Sequence, residues 1–432
     1  MNYRSTRAGT PPTSLSDAIL AGLAPDGGLF VPEMLPRLGA GAFDGAASMP
    51  SIAQQLLAPF FAGDRLGAAL PALCTHAYAF DAPLVALADG RSFVLELFHG
   101  PTAAFKDFGA RFLAAAMAAL RAPGAPEVTV LVATSGDTGS AVGAAFHRQP
   151  GVRVVILYPD GRVSPRQAHQ LGSFGDNVEA FKVAGSFDDC QRMVKQAFGD
   201  AALRDRRPLA SANSISLGRL LPQMGYYASA ALNHRRAGRA PLNVIVPTGN
   251  LGNAFAAVLA RAIGLPIGDI VLASNANRVL HDFLATGHYE SRESLATLAN
   301  AMDVGNPSNA ERLRWLFPRH VELADAVSAH WVDDDSIRAR ITEGEAHYGQ
   351  VWCPHTACAV EVLERLRRDG DARDWAVVAT AHPAKFETVV EPLVGHRVAP
   401  PAALAAMLER PARADALPAD YAALRGRLLA EP

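Results

Sequence analysis

Two hydrophobic rhythms alternate along most of this chain. "EVTVLVAT", "VRVVILYP", "VEAFKVAG", "LNVIVPT", "DIVLASNAN" and "DWAVVATAH" are short runs rich in β-branched residues, the mark of strands buried on both faces. Between them lie longer stretches with apolar residues at helical spacing: "AVGAAFHRQ", "SPRQAHQL", "SFDDCQRMVKQAF", "GNLGNAFAAVLARAIG" and "PAKFETVVEPL". One more helix is expected through "LGRLLPQMGYYASAALNH", kinked or started late by Pro222. Strand–helix alternation of this kind predicts an α/β fold with parallel sheets and helices on both faces. Ahead of it, the first roughly 80 residues read as short helices broken by Pro and Gly, with "APDGGLFVPE" a tight turn. "PLVALADGRSFVLEL" reads as a β-hairpin around Ala-Asp-Gly.

In open parallel sheets, ligands bind beyond the carboxyl ends of the strands. Three strand ends carry polar turns, "TSGDTGS", "PTGNLGN" and "ATAHPAK", and the chemistry is expected there. Composition narrows the field. With 432 residues the chain can bury a large core, and 50% hydrophobic with 19% charged residues suits a globular enzyme. A formal net charge of −2 gives no electrostatic case for nucleic acid or an anionic membrane. Four cysteines are too few for a disulfide scaffold and suit a reducing compartment. Neither a signal peptide nor a run of about 18 uncharged apolar residues is present, so a cytoplasmic protein is expected.

The glycine-bearing turns are the first candidates. In "PTGNLGNAFAA", Gly249 and Gly252 let the backbone approach a ligand closely, and Asn250, Leu251 and Asn253 complete a loop opening a helix, a cradle for a phosphate. The alternative is an ordinary strand–helix turn. It is neither a Walker loop nor GxGxxG, so no nucleotide is implied. In "ATSGDTGSAVGAA", Ser135, Thr138 and Ser140 with free N–H groups would suit a carboxylate, whereas Asp137 could be no more than an N-cap. "NSISLGR" sets Asn213, Ser214 and Ser216 within a helical turn of Arg219, a grouping that could meet one phosphate. On its own, this run reads better as a capped helix with a surface arginine paired to an acid.

Lys106, in "HGPTAAFKDFG", sits between Phe105 and Phe108 at a helix start. That setting disfavours the ammonium form and makes a Schiff-base nucleophile; a lysine snorkelling from a helix end is the commoner alternative. "CPHTAC", with Cys353, His355 and Cys358, lacks the second ligand pair a zinc site needs, so no metal is expected.

Together these motifs resemble threonine synthase, a pyridoxal-phosphate enzyme of fold type II. The resemblance runs nearly end to end, through "STR", "GLAPDGGLFVPE", "HGPTAAFKDFG", "ATSGDTGSA", "NSISLGRLLPQ", "PTGNLGN", "AMDVGNPSN", "PHTA" and "ATAHPAKFETV". It implies a tryptophan-synthase-β-like fold of two open, twisted, mostly parallel sheets. The expected parts are an N-terminal helical region with the hairpin (1–98), a small lobe (99–225) and a large lobe (226–432). Lys106 matches the lysine that holds pyridoxal 5'-phosphate as an imine, Gly249 to Asn253 the loop for its phosphate, and Thr380 the hydroxyl facing its pyridine nitrogen. "TSGDTGS" corresponds to the segment for the substrate carboxylate, represented here by Ser135 and Thr138. Asp137 stands where many relatives have Asn near the cofactor's 3-oxygen. Asn213, Ser214 and Arg219 match the element that grips the substrate phosphate, with Ser216 replacing a second Asn. Cys353 replaces an Asp often found before "PHTA".

The implied reaction is O-phospho-L-homoserine plus water to L-threonine plus phosphate, by a monomer or weak homodimer. Two alternatives stay open: a related phospho-lyase releasing 2-oxobutyrate, and a catalytically silent paralogue that binds the cofactor.

Overall fold

The computed structural model describes residues 1–430 except 8 and 40. The predicted strands form two sheets, joined in them by three short strands the sequence did not announce, Leu209–Ser211, Ser328–Trp331 and Asp415–Pro418. One has five parallel strands in the order Asp415–Pro418, Val178–Ala184, Val152–Pro159, Val128–Ala133, Leu209–Ser211. The other has six, in the order Ser328–Trp331, Ile267–Ser274, Leu242–Pro247, Trp375–Ala379, Ser92–Glu96, Leu84–Ala86, parallel except for the last pair. Every residue of Val152–Pro159 and Leu242–Pro247 is buried, which is why these runs are continuous rather than alternating. Helices follow where sequence placed them, and among the described residues three are fastened by capping boxes, Ser48 with Ser51, Ser164 with Gln167 and Ser186 with Asp189.

Sheet membership cuts across the three-part division. The expected hairpin exists, but its strands extend the six-stranded sheet rather than the N-terminal region. At the other end, Asp415–Pro418 returns to the five-stranded sheet, so the last residues wrap back onto the small lobe. Pro222 does more than kink its helix: Leu217–Leu220 and Gln223–Arg236 are separate, because proline offers no N–H for continuation.

The turn expected in "APDGGLFVPE" is followed by a strand, Phe30–Pro32, paired antiparallel with Tyr3–Ser5. Three-residue strands carry too little pattern to be read locally. This N-terminal ribbon is clamped by Arg312, fully buried, which donates to Phe30 O twice (3.1 and 2.9 Å), to Ile215 O (2.7 Å) and to Asn309 Oδ1 (2.7 Å). Among the described residues, no helix is long and apolar enough to cross a membrane.

Candidate active site

The carboxyl ends of both sheets face one cavity of about 650 Å³, lined among others by Lys106, Asp137, Arg219, Gly249 and Thr380. Lys106 begins the helix Lys106–Leu120, and its side chain is 15% exposed. The Phe105 ring lies 4.6 Å from Nζ. Phe108, expected to flank the lysine as well, points the other way: two residues further along a helix is more than half a turn. Its ring packs with Tyr78 (5.8 Å), Phe80 (4.5 Å) and Tyr226 (5.3 Å). Burial lowers the Lys106 amine to about 8; the nearby charges of Arg219 and Lys385 act the same way, while Asp137 opposes them.

Asp137 is not an N-cap. It is the first residue inside the helix Asp137–Phe146, whose cap position is Gly136 at φ 129°, a backbone conformation open to glycine. Thr134 Oγ1 serves the turn instead, accepting from Gly136 and Gly139 N–H at 3.0 and 2.9 Å. The buried Asp137 carboxylate accepts from Lys385 Nζ (3.0 Å) and Gln167 Nε2 (3.0 Å), and its second oxygen lies 3.8 Å from Lys106 Nζ. Burial alone would raise this carboxyl, but Lys385, Lys106 and His355 hold it well below the usual carboxylate range. Ser135 and Thr138 line the cavity on the same turn, whereas Ser140 is buried in the helix and bonds back to Gly136 O.

The Gly249–Asn253 turn leaves donors free. None of the N–H groups from Gly249 to Ala254 has a hydrogen-bond partner among the described residues, and the helix Gly252–Ala262 starts there. Leu251 holds the turn at φ 64°, an uncommon left-handed conformation for a branched residue and a sign of a constrained loop. A Cβ on Gly249 would sit 2.7 Å from Met302 Cα, so no side chain fits. The Asn250 side chain is spent within the protein, donating to Ser214 Oγ (2.6 Å) and accepting from Ser308 N–H (2.6 Å). Asn253 Oδ1 accepts from Tyr226 and Tyr227, while its buried Nδ2 has no partner.

Thr380 directly follows the strand Trp375–Ala379 and is locked to the lysine loop by backbone bonds. Phe105 N–H donates to Thr380 O (2.8 Å), and His382 N–H donates to Ala103 O (3.0 Å). Lys106 and Thr380 are therefore held on adjoining backbone despite their separation in sequence.

Arg219 is not a surface arginine. It is 2% exposed, has no acid within ion-pairing distance among the described residues, and makes one bond, Nη1 to Ala212 O at 2.8 Å, leaving Nε unpartnered. Burial lowers it to about 10, against the pull of Asp107 and Tyr226. Asn213 and Ser214 line the same stretch of cavity, whereas Ser216 is buried outside it with an unpartnered hydroxyl.

The sequence reading weighs His355 and Cys353 only as metal ligands and misses Lys385 behind the cavity wall. His355 accepts from Ala301 N–H at Nε2 (3.1 Å), and burial lowers its ring to about 4, so it is a neutral strut. Cys353 caps the helix Pro354–Arg368, and no metal-binding cluster exists among the described residues. Lys385 is 1% exposed. The signal was present: "PAKF" puts a lysine beside a phenylalanine at a helical turn, as "AFKDF" does.

Pyridoxal phosphate fits these residues. An amine with a depressed pKa, a row of unpaired N–H groups for a phosphate and a buried hydroxyl at Thr380 surround a single cavity. Residues 82–384 match the family described as pyridoxal-phosphate dependent enzyme, 2–78 the threonine synthase N terminus and 356–426 the threonine synthase C-terminal region. A threonine synthase of Haemophilus influenzae is 37% identical over 435 residues, 99% of this chain and 100% of that one. The crystal structure of threonine synthase from Escherichia coli superimposes with a TM-score of 0.90 at 37% identity, covering 99% of each chain. The pyridoxal-phosphate-bound threonine synthase from Brucella melitensis does so with a TM-score of 0.90 at 35% identity, again over 99% of each. The chain therefore belongs to the threonine synthase family of pyridoxal-phosphate-dependent enzymes of fold type II.

Proposed function

We propose that this chain converts O-phospho-L-homoserine and water to L-threonine and phosphate, the last step of threonine biosynthesis. The observation that carries the reading is a cavity with an anion cradle at residues 249–254 and, separately, a buried arginine without an acid partner among the described residues. One anion site suits the cofactor phosphate; Arg219, with Asn213 and Ser214, suits the phosphate of the substrate.

Bound pyridoxal phosphate supplies an electron sink for charge developing on the substrate's α and β carbons. Lys106 would hold the cofactor's aldehyde carbon, Thr380 would face its ring nitrogen, and Asp137 its 3-oxygen. The N–H groups of the Gly249–Asn253 turn would hold its phosphate. With an amine near 8, Lys106 can take the protons lost from Cα and Cβ and return protons at Cγ and Cα within the working pH range. Arg219 would draw the leaving phosphate away from Cγ, and free N–H groups beside Ser135 and Thr138 would hold the substrate carboxylate. Walls built from Phe105, Met302 and Leu251 limit water until it is needed at Cβ. We place the enzyme in the cytoplasm, where its four unpaired, buried cysteines stay reduced, as a monomer or weak homodimer.

The test is to add O-phospho-L-homoserine to the purified, cofactor-loaded chain and quantify both products. Phosphate and threonine should appear in equal amounts. Phosphate with 2-oxobutyrate would make it a phospho-lyase, and no turnover would make it a silent paralogue.

A further inference from the structure

The mechanism uses one lysine, yet two lysines face the same carboxylate. Asp137 has both oxygens inside the protein, and the contacts are unequal. Lys385 Nζ lies 3.0 Å from Oδ1, which also accepts from Gln167 Nε2 at 3.0 Å. Lys106 Nζ is 3.8 Å from Oδ2, beyond hydrogen-bonding distance. Lys385 is itself fixed. Its ammonium donates to Thr102 O (2.6 Å), its carbonyl accepts from Ser164 Oγ (2.6 Å), and the preceding carbonyl accepts from Arg166 Nη1 (2.8 Å). Thr102 is held in turn by Asp107 through its N–H (2.8 Å) and hydroxyl (2.6 Å). One side chain thus ties the "HPAK" turn to the lysine loop and to the "SGDTG" helix.

We propose that Lys385 is a positioning residue for the reaction: it takes Asp137 as its own hydrogen-bonded counter-ion, so that the Lys106 amine keeps only a 3.8 Å contact with that carboxylate and faces the cavity. Without Lys385, Asp137 would lose its nearer counter-ion and would pair fully with Lys106, stabilising the ammonium that cannot attack a carbonyl carbon. The other groups facing Lys106 are Arg219 from the helix Leu217–Leu220, Cys353 and His355 from the start of the helix Pro354–Arg368, and the Phe105 ring. His355 is neutral in the working range and Cys353 is a buried thiol, so Lys385 and Asp137 form the adjustable pair.

This inference rests on Lys106 being the cofactor lysine, and it is tested without turnover. The full-length, cofactor-free chain is labelled with limiting acetic anhydride across pH, and acetylation of the Lys106 peptide is followed by mass spectrometry. The wild-type midpoint is expected at about 8. Lys385→Gln, which keeps a donor for Thr102 O but loses the charge, should raise it by about one unit, a roughly tenfold slower labelling at neutral pH. Lys385→Arg should stay near wild type, and Asp137→Asn/Lys385→Gln should reverse the rise. An unchanged or lowered midpoint in Lys385→Gln overturns the proposal, as does a double variant that stays raised.

If Lys385→Gln does not fold, the remaining pair decides. Asp137→Asn must lie below wild type and the double variant above Asp137→Asn; either ordering failing overturns the idea. Shifted midpoints without threonine formation would sink the assigned reaction alone. Threonine formation with unmoved midpoints would sink only the role of Lys385.

Discussion

Arg312 and Arg219 are both fully inside the protein and neither has a buried acid to pair with among the described residues, yet they are opposites. Arg312 spends its guanidinium on Phe30 O, Ile215 O and Asn309 Oδ1, and so sews the N-terminal ribbon to the loop that carries Ser214. Arg219 makes one bond, to Ala212 O, and keeps Nε unpartnered in the wall of the cavity. A buried cation whose donors are spent holds a fold together. One whose donors are kept open costs stability, and Arg219 is the one proposed above to meet the substrate phosphate. Lys106 belongs with Arg219: burial disfavours its charge, and its hydrogen-bonding capacity is unused.

The contrast is broken or sharpened by removing each charge in turn. Lys106→Met should have the largest effect on function, a loss of about a thousandfold or more in turnover together with the visible absorbance of the bound cofactor. The same variant should stabilise the cofactor-free protein at pH 7. The amine titrates near 8 when folded against an ordinary 10.5, so the unfolded chain binds more protons between those values. The penalty is therefore complete below pH 8 and vanishes as pH rises to 10.5. Thermal melts should show Lys106→Met ahead by something on the order of 1 kcal/mol at neutral pH, with the gain shrinking above pH 8. A destabilised variant would move Lys106 into the class of Arg312.

Arg219→Met should lower kcat/KM for O-phospho-L-homoserine by about a hundredfold without lowering the melting temperature. Unchanged kinetics with that substrate would remove Arg219 from phosphate binding. Arg312→Met should do the reverse. It strands buried carbonyls at Phe30 and Ile215 and should cost about 2–3 kcal/mol in denaturant unfolding. The surviving folded fraction should keep a near-normal KM. A stable Arg312→Met with raised KM would erase the distinction between the two arginines.

These pairs also mark how far the sequence could be read. The site's loops were legible because each is local: a strand run, a polar turn and a helix start are contiguous, and glycine shows where backbone must come close. Gly249 did, against Met302. The partners of those loops were not legible. Asn250 reads as part of the phosphate loop, and its side chain is engaged by Ser214 and Ser308, more than 30 and 50 positions away respectively, which leaves its backbone N–H for that role. Phe108 looked like a neighbour of Lys106 because it is two residues off, and helix geometry turned it toward Tyr78 and Phe80. Arg219 read as an exposed arginine because nothing nearby in the chain announces its burial. Lys385 carried the same lysine–phenylalanine signal as Lys106, but its significance depends on Asp137, which only folding brings to 3.0 Å.

By itself, then, the sequence determined the alternating elements, the turns at their carboxyl ends and the family those turns belong to. Hydrophobic periodicity and glycine placement act over a few residues, and a few residues suffice to read them. Tertiary structure decided which charges are buried, which are paired and which are held in reserve. Those properties depend on desolvation and on distances between segments hundreds of residues apart, and no local pattern encodes either.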